Sequence, residues 1–214
     1  HYTMLQAKVP YNEIILNVSN LCRQKYIDED YPFEMTEECA KNYQEYAQFY
    51  ANDSWEILAV EAPFSIVIFE DEKDKIILEG RQDLVIRQNG MVMPVDHKTT
   101  EKKEYPNLLA NQPMAYVFAN DCFNFIRNEI GFQKTYGPSE RFHRHPLSYP
   151  AELIQEWKEN TIVESLKIIK YIEEGRFPKH FSSCYRCWFK KICESTPDSR
   201  EYKISSLYKK GEEY

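Results

Sequence analysis

The chain has 214 residues, 43% of them apolar and 29% charged, with only 6 glycines and a formal net charge of -7. That length allows one domain with a full core, or a core with a small appended module, and the composition excludes a disordered, fibrous or repeat protein. No run approaches the ~20 consecutive apolar residues of a membrane helix and no signal peptide is visible, so a cytoplasmic protein is expected; the acidic balance disfavours coating nucleic acid by bulk charge but permits basic residues confined to one cleft.

The first residue is His1 rather than Met and stands directly inside ordered-looking sequence, so further residues are expected to precede it. From Glu13 to Tyr26, Ile14, Ile15, Val18, Leu21 and Cys22 recur at three- and four-residue spacing, which predicts a helix. A second helix is predicted from about Thr36, as its cap, to Tyr50, with a stripe of Tyr43, Tyr46, Phe49 and Tyr50. Near Trp55 the character changes to β-rich runs, and Asn89-Gly90 between two apolar runs is a strong hairpin signal, because both residues tolerate positive φ. Three consecutive antiparallel strands are therefore predicted over residues 56 to 97.

Asn107 to Ala119 returns to helical spacing, and a strand is predicted near Phe123 to Ile130. Residues 131 to 150, with Gly131, Gly137, Pro138, Pro146 and Pro150, read as a loop or irregular crossing segment. A long helix follows from about Ala151 to Glu174, then a cysteine-bearing segment from Phe177 to Cys193 and a polar tail. The expected fold class is α/β (α+β), a central mixed β-sheet flanked by helices. The expected organisation is a core over residues 1 to 176 with a cysteine-containing segment, 177 to 214, packed on it.

Chemistry concentrates on the predicted hairpin. The Asn89-Gly90 turn lies six residues after Asp83 and six before Asp96, a symmetry that places the two carboxylates side by side. Asp96 and Lys98 are two apart, so their side chains leave the same face of a strand. Two adjacent carboxylates repel and are stable chiefly with a proton or a divalent cation between them, and oxygen ligands with room for water suit Mg²⁺ or Mn²⁺. Such an ion activates water and stabilises a phosphate, while Lys98 positions that water. An arbitrary D-x-K triplet is usually two solvated acids and a lysine; its place after an apolar strand and a Gly-Arg-x-Asp strand end gives it weight.

Glu61-Ala-Pro-Phe64, Gly80-Arg-Gln-Asp83-Leu-Val and Val95-Asp-His-Lys-Thr99 resemble the consecutive motifs of the RecB-like branch of the PD-(D/E)xK nucleases. The resemblance implies a restriction-endonuclease-like core and a Mg²⁺- or Mn²⁺-dependent DNA exonuclease working in recombination, repair or phage replication, with Asp83, Asp96 and Lys98 as the catalytic set. It further implies that the backbone carbonyl of His97 joins the metal shell. Gln82 departs from the usual aliphatic residue, which touches packing and not chemistry. Gln112 and Tyr116 reproduce the branch's Q-x-x-x-Y motif, whose residues help hold substrate near the catalytic lysine, with Pro113 inside the motif an unusual residue expected to start or bend the helix. His1 resembles the family's metal-binding histidine; the competing reading is a remnant of an expression tag.

Six cysteines in a reducing compartment are thiols or metal ligands rather than a disulfide framework. Cys184, Cys187 and Cys193 follow C-x2-C-x5-C, a spacing that suits a [4Fe-4S] cluster or, less favoured, zinc. The stretch from Phe177-Pro178 to Cys193 resembles the iron-sulfur subset of these nucleases, where the cluster staples the two chain ends. If His1 is the family histidine, the fourth ligand lies upstream of it and Cys22, Cys39 and Cys122 are ordinary core thiols; otherwise Cys22 is the best candidate.

Lys102, Lys103, Arg141, Arg144, Lys167, Lys170, Lys190 and Lys191 are candidates to line a phosphate-tracking groove, with Phe142, Tyr185 and Trp188 as stacking faces, although Lys167 and Lys170 read better as solvated charges. DNA with a free end is the expected partner, with a helicase or recombination protein as a further one. Two rivals remain: a catalytically idle DNA-binding or scaffold module that keeps the nuclease fold, and a zinc-stapled interaction domain with incidental acids.

Overall fold

Apolar spacing in the first fifty residues does produce helices, the two long ones each starting directly after a proline. In the computed structural model, which describes residues 1–100, 106–132, 135–176, 178–179, 184–185 and 187–207, α1 spans Tyr2–Gln6, α2 Tyr11–Asp28 and α3 Phe33–Phe49. Thr36, expected to cap the second helix, lies in its first turn instead. Pro32 holds the N-cap position with φ -55°, and the Thr36 hydroxyl donates back to the Pro32 carbonyl at 3.2 Å. Arg23 on α2 grips Glu37 on α3 through two bonds of 2.6 and 3.0 Å. On the same helix pair the Cys22 thiol bonds to Cys39, which Tyr26 also reaches, so both thiols are engaged inside this unit.

The three-strand meander forms as expected: β1 spans Glu56–Glu70, β2 Lys75–Gln88 and β3 Met91–Thr100, each antiparallel to the next. Asn89 and Gly90 take φ of 51° and 79°, the pair of positive values a two-residue hairpin turn requires. α4 (Asn111–Ala119) then carries the chain to β4 (Asn124–Gly131), which pairs parallel to β3. The helix starts later than its spacing suggests, because Asn107 turns the chain by accepting the Leu109 N–H at 3.0 Å on its side chain.

The segment read as a loop before residue 150 contains a short helix, α5 (Pro138–Arg141), and a strand, β5 (Phe142–Ser148), antiparallel to β4. β5 is an edge strand in the order β1-β2-β3-β4-β5, where Pro146 costs the sheet no ladder bond that an interior strand would need. The result is a mixed five-stranded sheet flanked by helices. One side buries Met114, Val117, Phe125, Tyr149, Ile154 and Trp157, drawn from α4, the strands and α6 (Ala151–Glu173). Leu84, Ile86, Met93, Val95 and Ile126 form a second cluster against Tyr2, Trp55 and Ile57.

The chain divides into two compact units, residues 1–163, which hold the whole sheet, and residues 164–214. In the second, α7 (Lys190–Cys193) and α8 (Pro197–Leu207) are the helices after α6, so the polar tail read from the sequence includes a helix. Among the described residues no helix is long and apolar enough to cross a membrane.

Candidate active site

β3 is the strand that changes partners, antiparallel to β2 through Val95 and parallel to β4 from Val95 onward. The acids of the D-x-K triplet and its hairpin partner sit where that change occurs. Leu84 pairs with Val95, and one residue further the same register sets Asp83 opposite Asp96. Asp83 Oδ2 accepts the backbone N–H of His97 at 2.8 Å, which fixes its carboxylate beside the start of the triplet. Its charge acts on Asp96 and on Tyr116.

Asp96 is buried at 3% exposure and Lys98 reaches it with Nζ at 3.0 Å. Burial raises the Asp96 pKa, opposed by the bond and charge of Lys98, while Asp83 pushes it further up. Gln112, in the first turn of α4, ties the group together: its Nε2 donates to Asp96 Oδ1 at 3.0 Å and its Oε1 accepts from Lys98 Nζ at 3.1 Å. Tyr116, one helical turn on, takes a 3.0 Å bond from Gln112 and donates to the Arg81 carbonyl at 2.6 Å. Pro113 is the third residue of α4, in the first turn, where a missing N–H costs no intrahelical bond.

Two residues of the second motif, the departing Gln82 and the matching Gly80, find physical reasons. Gln82, 3% exposed, accepts a 2.8 Å bond from Asn120 at the end of α4, so a polar residue is satisfied there. Gly80 faces Phe64 across the β1–β2 ladder, and a Cβ on it would lie 2.6 Å from the Phe64 ring. Phe64 in turn packs edge-on to Tyr116 at 6.1 Å. The Gly-Arg-x-Asp motif thus begins with glycine so that the ring supporting Tyr116 can lie on the strand.

His97 points the other way from Asp96. Its ring stacks on Tyr2 at 5.2 Å and its Nδ1 accepts from Asn128 Nδ2 at 2.7 Å, since that amide also donates to Tyr46. The proton therefore resides on Nε2, which is buried and has no hydrogen-bond partner among the described residues. Burial lowers the His97 pKa to about 4, so the imidazole stays neutral. His1 bonds through Nδ1 to the Tyr43 hydroxyl at 2.7 Å and lies against the rings of Tyr2, Tyr11 and Tyr43. It lines a cleft of about 360 Å³ with Tyr2, Tyr50, Asp53 and Trp55, and no hydrogen bond among the described residues joins it to Asp83 or Asp96.

Among the described residues no three His, Cys, Asp or Glu side chains stand together as a ready metal-holding group. The donor chemistry still suits a hard divalent ion: a buried carboxylate whose charged form is penalised by desolvation, a second carboxylate opposite it, and an ammonium ion that supplies the balancing positive charge. For the cysteine segment, none of the six cysteines is in a disulfide; Cys184 and Cys187 are joined by a 3.4 Å backbone turn and Cys193 ends α7.

Most proposed groove cations are engaged elsewhere. Arg144 pairs with Asp53 at 2.7 and 2.5 Å and lies 3.6 Å from the ring centroids of both Tyr50 and Trp55, while Arg141 is held by Asn42 and Glu45. Lys167 pairs with Glu164 on α6, and Lys170 and Lys190 pair with Glu174 and Glu194 just past the ends of their helices. Phe142 is buried at 2% exposure and offers no stacking face; Tyr185 and Trp188 are exposed. Lys102, Lys103 and Phe177 lie outside the described residues.

Two residues near the site went unassigned in the sequence. Glu61, exposed and at φ 49° within β1, falls between the Val60–Leu84 and Ala62–Gln82 pairs, hence opposite Asp83, and its charge acts on Tyr116. Its place in the first motif was the available signal. Arg127, the β4 register partner of Asp96, carried none, because the β3–β4 parallel pairing could not be read from local pattern.

A mixed sheet with an acid pair and a lysine at the end of a hairpin defines a nuclease-like α+β enzyme core. The sequence profile of the PD-(D/E)XK nuclease superfamily matches residues 11–194, and the chain belongs to that superfamily, with the restriction-endonuclease-like fold this implies. The family points to nuclease activity on DNA, and its members generally use divalent metals. One solved structure, that of SSO0001, is similar at 17% identity over 83% of this chain and 84% of its own, with a TM-score of 0.41. No curated protein matches the chain.

Proposed function

We propose that this chain is a Mg²⁺- or Mn²⁺-dependent deoxyribonuclease that hydrolyses phosphodiester bonds from DNA ends, acting in the cytoplasm in recombination, repair or phage replication, with a helicase or recombination protein as partner. The observation that carries this reading is the convergence of Lys98, Gln112 and buried Asp96 through three bonds of 3.0 to 3.1 Å, beside Asp83.

Asp83, Asp96 and the His97 carbonyl would hold the cation. His1 is included in the proposed set on its resemblance to the family's metal-binding histidine alone, since its Nδ1 is bonded to Tyr43. A divalent cation supplies, when bound, acidity for the attacking water and charge for the scissile phosphate. Lys98 then turns its ammonium toward the phosphate and the water, offsetting developing charge. Gln112 keeps Lys98 and Asp96 at a fixed spacing, and Tyr116 fixes Gln112 by anchoring to the β2 backbone. Residues 1–176 are taken as the nuclease core and 177–214 as an appendage whose Cys184, Cys187 and Cys193 bind a [4Fe-4S] cluster, zinc being less favoured, in a structural role. Iron and acid-labile sulfide in anaerobically purified protein would support the cluster; stoichiometric zinc would replace it.

The test is digestion of end-labelled linear and closed circular DNA with Mg²⁺ or Mn²⁺, comparing native protein with Lys98→Ala. Loss of the linear substrate alone, abolished in the variant, is expected. Circles cut as fast as linear DNA would refute exonuclease action, and an equally active variant would refute the site.

A further inference from the structure

A second run of buried charge adjoins Asp96 on the strands beyond β3. In the parallel β3–β4 ladder Asp96 is the partner of Arg127 and Lys98 the partner of Glu129. Laterally paired residues project from the same face of a sheet, so a guanidinium and another carboxylate stand next to the reaction centre. Arg127 Nη2 lies 3.0 Å from Glu129 Oε1, and Glu129 is 1% exposed. The other Glu129 oxygen is 3.1 Å from Nε2 of His145, itself the β5 partner of Arg127.

A guanidinium beside a buried carboxylate is the natural rival of a metal ion. It is permanently charged, matches a carboxylate with two donors, and is more weakly hydrated than an ammonium. Arg127 is among the cations whose charge already acts on Asp96. Were its fork to close on Asp96, the lone pairs left on that carboxylate would be taken by nitrogen donors as well, since Lys98 and Gln112 already bond to Oδ1. Glu129 competes with Asp96 for that guanidinium. Being buried, it requires a counter-charge of its own, and it draws the guanidinium two residues along the same strand.

We propose that Glu129 is a positioning residue that holds Arg127 away from Asp96 and thereby keeps Asp96 open to a divalent cation. This rests on the reading of Asp83 and Asp96 as cation ligands. His145 fixes the second oxygen of Glu129 and so aims the first at Arg127.

The test is Mn²⁺ binding to DNA-free protein, read from the paramagnetic resonance signal of unbound Mn²⁺, with circular dichroism to establish folding. Glu129→Gln weakens binding about tenfold or more, the size of effect usual for groups that orient metal ligands. The double variant Glu129→Gln/Arg127→Gln recovers binding to within about threefold of native, because the rival cation is gone. A double variant as weak as Glu129→Gln alone marks Glu129 as merely structural and overturns the proposal. Should Glu129→Gln not fold, Arg127→Gln decides: it binds Mn²⁺ at least as tightly as native protein, and weaker binding overturns the proposal. Asp96→Asn serves as the control. If it binds Mn²⁺ like native protein, the cation reading fails and the proposal with it; if it loses Mn²⁺ while Glu129→Gln does not, only the proposal fails.

Discussion

At the scale of single residues, the site is held by one amide and two charges. Gln112 donates to Asp96, accepts from Lys98 and is braced by Tyr116. Gln112→Ala leaves the buried carboxylate with Lys98 alone and is expected to slow DNA cleavage about 10- to 100-fold while the fold stays intact. Single-turnover cleavage measures this; a native rate would mean that the amide only packs. His97 yields a pH effect of known sign. Its pKa is about 4 in the folded chain against an ordinary value of 6.5, so between these limits the unfolded chain binds the extra proton. Stability from neutral His97 is fully present above about pH 6.5 and is lost as pH falls toward 4, on the order of 3 kcal/mol at about 1.4 kcal/mol per pH unit. Urea unfolding across that range, compared with His97→Asn, measures the loss; parallel curves would show that His97 is not the group that titrates.

At the scale of elements, the hairpin was the most legible part of the chain. Asn89-Gly90 and the two apolar runs encode a turn, a register and hence the juxtaposition of Asp83 with Asp96, all by local rules. β5 was not legible, because Pro146 and two glycines signal a loop unless the strand is known to lie at a sheet edge. The same blindness hid Arg127 and Glu129: alternation shows which residues share a face of one strand, not which strand lies beside it. It also misassigned Arg144, whose guanidinium was available to DNA by sequence but is clamped between Tyr50, Trp55 and Asp53. Arg144→Met should therefore destabilise the protein by about 1 to 2 kcal/mol, chiefly through the lost contacts with the Tyr50 and Trp55 rings, with DNA affinity unchanged in the folded fraction. Chemical denaturation and DNA binding separate the two effects. Gly80→Ala belongs to this scale as well: the new Cβ displaces Phe64 and, through it, Tyr116, so cleavage falls more than stability does.

At the scale of the whole molecule, the net charge is -7, and Arg141, Arg144, Lys167, Lys170 and Lys190, proposed from the sequence to line a groove, are paired with carboxylates. Superfamily membership over residues 11–194 and the mixed sheet place the chain among the PD-(D/E)XK nucleases, but a fold can be kept without its activity. What distinguishes a working site from a retained fold is whether its groups act together. Single-turnover cleavage of linear DNA by Asp83→Asn, Asp96→Asn, Lys98→Ala and their pairwise combinations measures that directly. Each single variant is expected to lose at least about 100-fold, and each pair to lose little more, as residues of one unit do. A single variant that cuts at the native rate, or losses that simply multiply in the pairs, would contradict a shared centre at Asp83, Asp96 and Lys98.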